Sequence, residues 1–340
     1  MTTFTLINVT LLAILAATAV AIARIRALYE ATMLAALFSL VTATLFVLLD
    51  APDVAFTEAA VGVGISTVLL LGVLALTRSW EAVTPPRRRL PGLAAVVLAG
   101  AALGYASQDL PPFGDAGNPV QNHPVTNTYL YQSQQEIGIP NTVTSVLASY
   151  RALDTLGELV VVFTAGVAVL SLLGPLVRPE EARPGADFHL ADYRVIRVIT
   201  ALLLPFILLF ALYVLFHGEY GPGGGFQAGV IFASGAVLYS LVFGLDRAQY
   251  VVPRRALWSL VSLGLLAYLG LGVVTMVLGD SFLNYDVLSP SHPETGQHLG
   301  ILLVEASIGA TVSAVMAGIF FSFASWGVAS RAEASMEVPR

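Results

Sequence analysis

Few side chains in this sequence carry charge, so the ones inside or beside apolar stretches stand out. The segment Tyr150–Glu158 opens a long apolar run, and within it Arg151, Asp154 and Glu158 are spaced i, i+3 and i+7. On a helix that spacing puts all three on one face, where they can pair. Upstream, Leu49–Glu58 concentrates Asp50, Asp53 and Glu58 at a predicted turn with no arginine to neutralise them. Such a cluster can gather cations at the mouth of a pathway, and Glu58 also suits the positive end of the helix that follows. His217 and Glu219 enter a glycine-rich turn, and Glu305 is the only acid within the last apolar run. Charges at membrane depth are costly unless paired or wetted, so these groups are candidates for cation binding or proton relay. Each also has a plainer reading. The Arg151 group can be an ion-pair clip at the headgroup level, Asp53 and Glu58 a solvated loop with a helix-terminal acid, and His217 a packing residue.

Other chemistries find little footing. The run Gly223-x-Gly225-x-x-Ala228 resembles a dinucleotide fingerprint, but an apolar span precedes it where a strand is required. Gly223, Gly224 and Gly225 therefore read as a structural turn that permits close backbone approach. All 16 Lys+Arg residues are arginine, and cysteine is absent. That removes lysine proton carriers, disulfides, thiolate metal sites and cysteine nucleophiles. His292, Glu294 and His298 could bind a metal but read as part of an outer loop. No metal, no cofactor and no enzymatic activity are expected of this chain.

The elements that position these residues follow from composition. Of 340 residues 56% are hydrophobic and 11% charged, with a mean hydropathy of +0.80. Ordinary soluble domains carry roughly 25% charged residues. Apolar runs at about 5–23, 28–49, 58–77, 90–106, 146–177, 196–216, 226–245, 256–279 and 298–325 are each read as one crossing of a bilayer core about 30 Å thick. The fifth is longer than a crossing needs, so its start is expected to bend or lie along the surface. The fold class is thus an all-α polytopic membrane protein with about nine transmembrane helices. Arginines follow spans one, three, five, seven and nine, while the connections 50–57, 107–142, 217–225 and 280–297 contain none. The positive-inside rule then places the N-terminus out and the C-terminus in. The first run has no basic residue before it and reads as a retained span rather than a cleaved signal. In the ninth span Gly309, Ser313 and Ala317, and Ala306, Ala310, Ala314 and Gly318, form rows of small residues suited to close helix packing.

Three motifs, in order along the chain, resemble the Mrp-type multisubunit Na+/H+ antiporters and the related membrane-bound hydrogenases. Asp50–Asp53 with Thr57–Gly62 resembles the first hydrogenase-like domain at the tail of the antiporter A subunit, and Tyr150–Glu158 resembles the second. His217–Gln227 and Gly300–Gly309 resemble the B subunit, although Glu219 stands where that family carries a second histidine. The implied organisation is a three-span domain over 1–84, a two-span domain over 85–178, a cytoplasmic linker over 179–194 and a four-span B-like domain over 195–340. The resemblance implies an auxiliary ion-path and structural subunit of a monovalent cation (Na+)/H+ antiporter driven by the proton gradient. It would sit in a bacterial or archaeal plasma membrane. Its partners would be large proton-channel subunits of A and D type, small subunits of C, E, F and G type, the lipid bilayer, Na+ and H+, and no nucleic acid. Glu158, Asp154 and Arg151 are the first candidates for the ion path, followed by Asp53, Glu58, His217 and Glu305. The alternative is the same module in a membrane-bound hydrogenase or related redox complex. A self-contained transporter would show inverted repeats and interrupted helices, and neither is evident in the sequence.

The one-sided arginines make the topology testable. A reporter active only in the cytoplasm is expected to work when fused after Arg89, Arg194 or Arg255 and to fail after Gly117 or His292. Reversed signals in either half would show that the span count is wrong.

Overall fold

A computed structural model of the chain describes residues 3–74, 80–81, 86–173 and 193–336. Most of the expected linker at 179–194 lies outside the described residues, as do Arg78, Arg178, Arg183 and Arg340. Among the described residues nine helices are long and apolar enough to cross a membrane. They are α1 (Thr3–Arg24), α2 (Leu28–Leu48), α3 (Pro52–Leu74), α4 (Pro86–Ala106), α5 (Ala152–Leu173), α6 (Arg194–His217), α7 (Gly225–Phe243), α8 (Arg254–Val277) and α9 (Pro293–Met336). The described residues form no strand; an isolated bridge joins Ala27 to Trp80.

The outward surface confirms what surrounds these helices. Leu6, Leu98, Phe206 and Leu263 are 57%, 73%, 62% and 61% exposed, and dozens of other large apolar side chains face outward with them. A soluble protein does not expose contiguous apolar surface on this scale. This is a multi-pass membrane protein.

The core is built around α9, which packs against α5, α7 and α8 and carries the fully buried Ile301, Val304, Val312 and Phe321. Small residues make those contacts possible. A Cβ at Gly229 would lie 2.8 Å from the Gly309 carbonyl oxygen. One at Gly264 would lie 2.2 Å from Thr311 Oγ1 and 2.8 Å from the Ser307 oxygen. Of the small-residue rows expected on α9, Gly309, Ala314, Ala317 and Gly318 are buried, whereas Ala306 is exposed. By contrast α4 is exposed along residues 90–106.

Two helix starts differ from expectation. The third helix begins at Pro52 rather than near 58, so Asp53 and Glu58 sit on its first turns and not in a loop. The ninth begins at Pro293, which places Glu294 and His298 on a helix. Proline at the first helical position is pre-organised for this and gives up no needed N–H. In each case the polar residues that follow had suggested a longer connection.

Two helices are also interrupted. A π-turn occupies Ala59–Ile65 within α3, and another, Val146–Tyr150, precedes α5. The second ends at Arg151 (φ −121°, ψ 30°), whose N–H reaches back to the Val146 carbonyl at 2.8 Å. The path is therefore bent at the start of the long fifth run. Carbonyls beside this break accept side-chain hydroxyls, as buried backbone in a membrane protein requires. Tyr285 Oη donates to Ala148 O at 3.0 Å, Tyr268 Oη to Ala152 O at 2.8 Å and Thr155 Oγ1 to Leu147 O at 2.7 Å. The tyrosines of α8 and of the 285–288 turn thus hold the break open. Such π-turns are frequent at functional sites.

The packing account can be checked on one helix. Gly264→Ala drives a methyl into Thr311, whereas a Cβ at Gly270 meets nothing within 4 Å. Overpacking costs about 1–3 kcal/mol, so Gly264→Ala is expected to lower the thermal unfolding midpoint in detergent while Gly270→Ala leaves it in place. Equal midpoints for the two variants would refute the close α8–α9 contact.

Candidate ion-path cavity

The glycine turn sets the geometry of the site. Gly224 has φ +124°, a conformation side chains other than glycine rarely adopt, and its N–H donates to the Val214 carbonyl at 3.1 Å. Next to it, a Cβ on Gly225 would stand 2.0 Å from the backbone oxygen of Glu305, so only glycine fits between α7 and α9. This approach brings the Gly225 N–H onto Glu305 Oε2. The N-cap of α7, Gly224, has no side chain with which to cap the helix. Glu305 takes that role from another helix and places its carboxylate at the positive end of α7. Gly223 closes the turn and forms part of the wall of the adjoining cavity.

That cavity has a volume of ≈ 240 Å³. Asp53 from α3, Glu158 from α5 and Glu305 from α9 line it together, with Thr57, Thr155 and Gln227 as further polar groups. The cavity is open on one side, which leaves Glu158 exposed and Glu305 half-buried. Gln227 Nε2 donates to Thr57 Oγ1 at 2.8 Å and ties α7 to α3. Asn141 joins three segments: its Nδ2 donates to Gly218 O at 2.9 Å and Gly221 O at 3.0 Å, and lies 3.4 Å from Asp53 Oδ1. Its Oδ1 meanwhile accepts from the Val143 N–H at 2.9 Å and caps the next turn. Oxygen ligands of this kind suit a hard, partly hydrated cation, and the space admits water as well. Among the described residues no group of three or more His, Cys, Asp or Glu side chains lies close enough to hold a metal ion.

The residues singled out in the sequence therefore separate. Asp53, Glu158, Glu305 and Gly223 meet at the cavity. Arg151, Asp154 and Glu158 do not form the shared ion-pair face expected of them. Arg151 sits at the helix break and reaches Asp154 alone, at 2.5 Å, with both side chains 57% exposed. Glu158, one turn further along α5, lines the cavity instead. Glu58 faces α2, where a Cβ on Gly62 would meet both Ser39 Oγ and Glu58 Oε1. His217 stacks on Tyr213 with ring centres 4.9 Å apart, at the end of α6 and outside the cavity lining. Asn141 was not singled out. Its only sequence signal is a Pro-Asn-Thr helix-cap pattern, which says nothing of its distant partners.

Each part of the chain is similar to known proteins. Residues 195–318 match the family described as a domain related to the MnhB subunit of Na+/H+ antiporter. Residues 13–79 match the MbhD family, the D subunit of MBH, and residues 87–185 match the MbhE family, the E subunit of MBH. A Rhizobium meliloti protein named as a probable K(+)/H(+) antiporter A/B subunit is 27% identical over 76% of this chain, which spans 28% of that protein's length. One chain of the Mrp complex from Dietzia sp. DQ12-45-1b superposes with a TM-score of 0.75 at 26% identity, over 92% of this chain and 34% of its own. A Staphylococcus aureus (strain Newman) protein named as a putative antiporter subunit mnhB2 is 31% identical over 36% of this chain, and 94% of its length is covered. With that subunit matched almost end to end and the two other domains in order before it, the chain belongs to the MnhB-related family of Mrp-type antiporter subunits, in a fused form.

Proposed function

We propose that the chain is an ion-path and structural subunit of a multisubunit monovalent cation/H+ antiporter, and that the cation passes through the cavity formed by Asp53, Glu158 and Glu305. The observation that carries this reading is the convergence of three acids, one from each matched domain, on a single cavity. Acids in or beside membrane helices are costly unless paired or wetted, and mark ion pathways. Threonine hydroxyls and the Gln227 amide supply neutral oxygens, so a cation can exchange part of its hydration shell for protein ligands without being held fast. The proton gradient drives the exchange. Lysine is absent from the chain, so any lysine-dependent proton channel belongs to partner subunits of the large A and D type. Small subunits of C, E, F and G type complete the assembly in the plasma membrane. The chain is not itself an enzyme. Its apolar, largely unpartnered α4 and α6 surfaces meet lipid or those subunits.

The matches to the MbhD and MbhE families support a second reading, in which electron transfer in a redox complex drives the same module. Co-purified partners decide between the two.

Glu158→Gln keeps side-chain shape and removes one titratable group. In the assembled complex it is expected to leave partner co-purification intact and to slow Na+/H+ or K+/H+ exchange at least about tenfold, equal to ~1.4 kcal/mol of barrier. Asp154→Asn breaks only an exposed pair worth about 0–1 kcal/mol and is expected to exchange normally. Wild-type exchange by an assembled Glu158→Gln complex would remove the cavity from the path, and exchange by the purified chain alone would overturn the subunit role.

A further inference from the structure

Glu219 lies in the turn between α6 and α7 and is only 6% exposed. Its Oε2 is 2.6 Å from His298 Nδ1, while its Oε1 is buried and has no hydrogen-bond partner. A buried carboxylate oxygen without a partner costs more than an unpaired neutral group, so its retention calls for an explanation. His298 is 48% exposed, which leaves its ring open to solution. On α9, His298 and Glu305 are seven residues apart. They lie on one face, separated by about 10 Å along the axis. Both engage the same glycine turn: His298 holds Glu219 at its start, and Glu305 accepts the Gly225 N–H at its end. Between them, a Cβ on Gly224 would stand 3.0 Å from Glu305 Oε2.

From this arrangement we infer that Glu219 and His298 form a proton-exchange station between the solution on the arginine-free side and Glu305 in the cavity. The inference rests on the ion-path role proposed for that cavity. A proton taken up on the exposed imidazole is handed from Nδ1 to Glu219 Oε2. One leaves from Oε1 toward Glu305, so one proton enters and one departs without net charge building up. The titratable groups around the turn are His298 and Glu305 on α9, His217 at the end of α6, and Asp53 on α3, which is linked through Asn141. Burial holds the Glu219 carboxyl above the usual carboxylate range, and the His298 charge and hydrogen bond pull the other way. An imidazole ring can both take up and release a proton, one at each ring nitrogen.

The test uses vesicles containing the whole complex, with pH varied only on the arginine-free side and exchange measured at matched complex levels. The wild-type rate is expected to depend on that pH, and His298→Gln and Glu219→Gln each to abolish the dependence and slow exchange. The double variant is expected to be no slower than the slower single variant, because the pair acts as one unit. Since His298 is half-exposed, His298→Gln keeps the test valid even if Glu219→Gln fails to assemble. An unchanged pH profile in assembled His298→Gln would overturn the station. If Glu158→Gln is inactive in the same vesicles while His298→Gln keeps the wild-type profile, only this inference fails. Normal exchange in Glu158→Gln would instead undo the cavity reading beneath it.

Discussion

The contact between the bare N-terminus of α7 and the Glu305 carboxylate constrains everything around it. A helix start leaves N–H groups without partners, and in an apolar interior they must be satisfied from elsewhere. Glycine at the cap offers no side chain for this, but it lets α9 approach until its own carboxylate can do so. The bond stabilises both members, since the carboxylate gains a donor and the positive end of a helix while the helix gains its cap. The glycine turn and the small residue Gly229 of α7 are what let these two backbones come that close. The cavity is what remains where α3 and α5 cannot follow.

Other hydrogen bonds tie the three matched domains together. Asn141, Gln227 and the hydroxyls of Tyr268 and Tyr285 join segments far apart in sequence, and nearly all of these bonds end on backbone carbonyls or cavity residues. Tyr268 and Tyr285 donate to carbonyls on either side of the break at Arg151, ahead of Glu158 in the chain. Irregular backbone of this kind is tolerated in a membrane protein where other segments satisfy its polar groups, as the hydroxyls do here.

The nine helices were legible because each is a long apolar run, and a bilayer demands that length. The starts of α3 and α9 were not, since Asp-Val-Ala-Phe-Thr-Glu and Glu-Thr-Gly-Gln-His look like loops until the prolines before them are weighed as helix starts. Nothing in composition marks a π-turn, so the break at Arg151 was visible only as surplus length, and spacing alone did not show that Arg151 reaches Asp154 but not Glu158. Glu158 and Glu305 were singled out as acids in apolar surroundings. Their meeting with Asp53 could not be read, because it depends on tertiary contacts across more than a hundred residues. Glu58 and His217 carried the same local signal, yet packing turns them elsewhere.

The central claim is that this cavity is wetted and visited by the transported cation. The chain contains no cysteine, so a single Thr57→Cys or Ile308→Cys places the only thiol of this chain in the cavity wall. The rate at which a small cationic methanethiosulfonate reagent modifies that thiol in the assembled complex is the direct measurement. Modification is expected at both positions, slowed by millimolar Na+ or K+ and accompanied by loss of exchange. Thiols that stay unmodified, or that react at a rate indifferent to the cation while exchange continues, would contradict that claim.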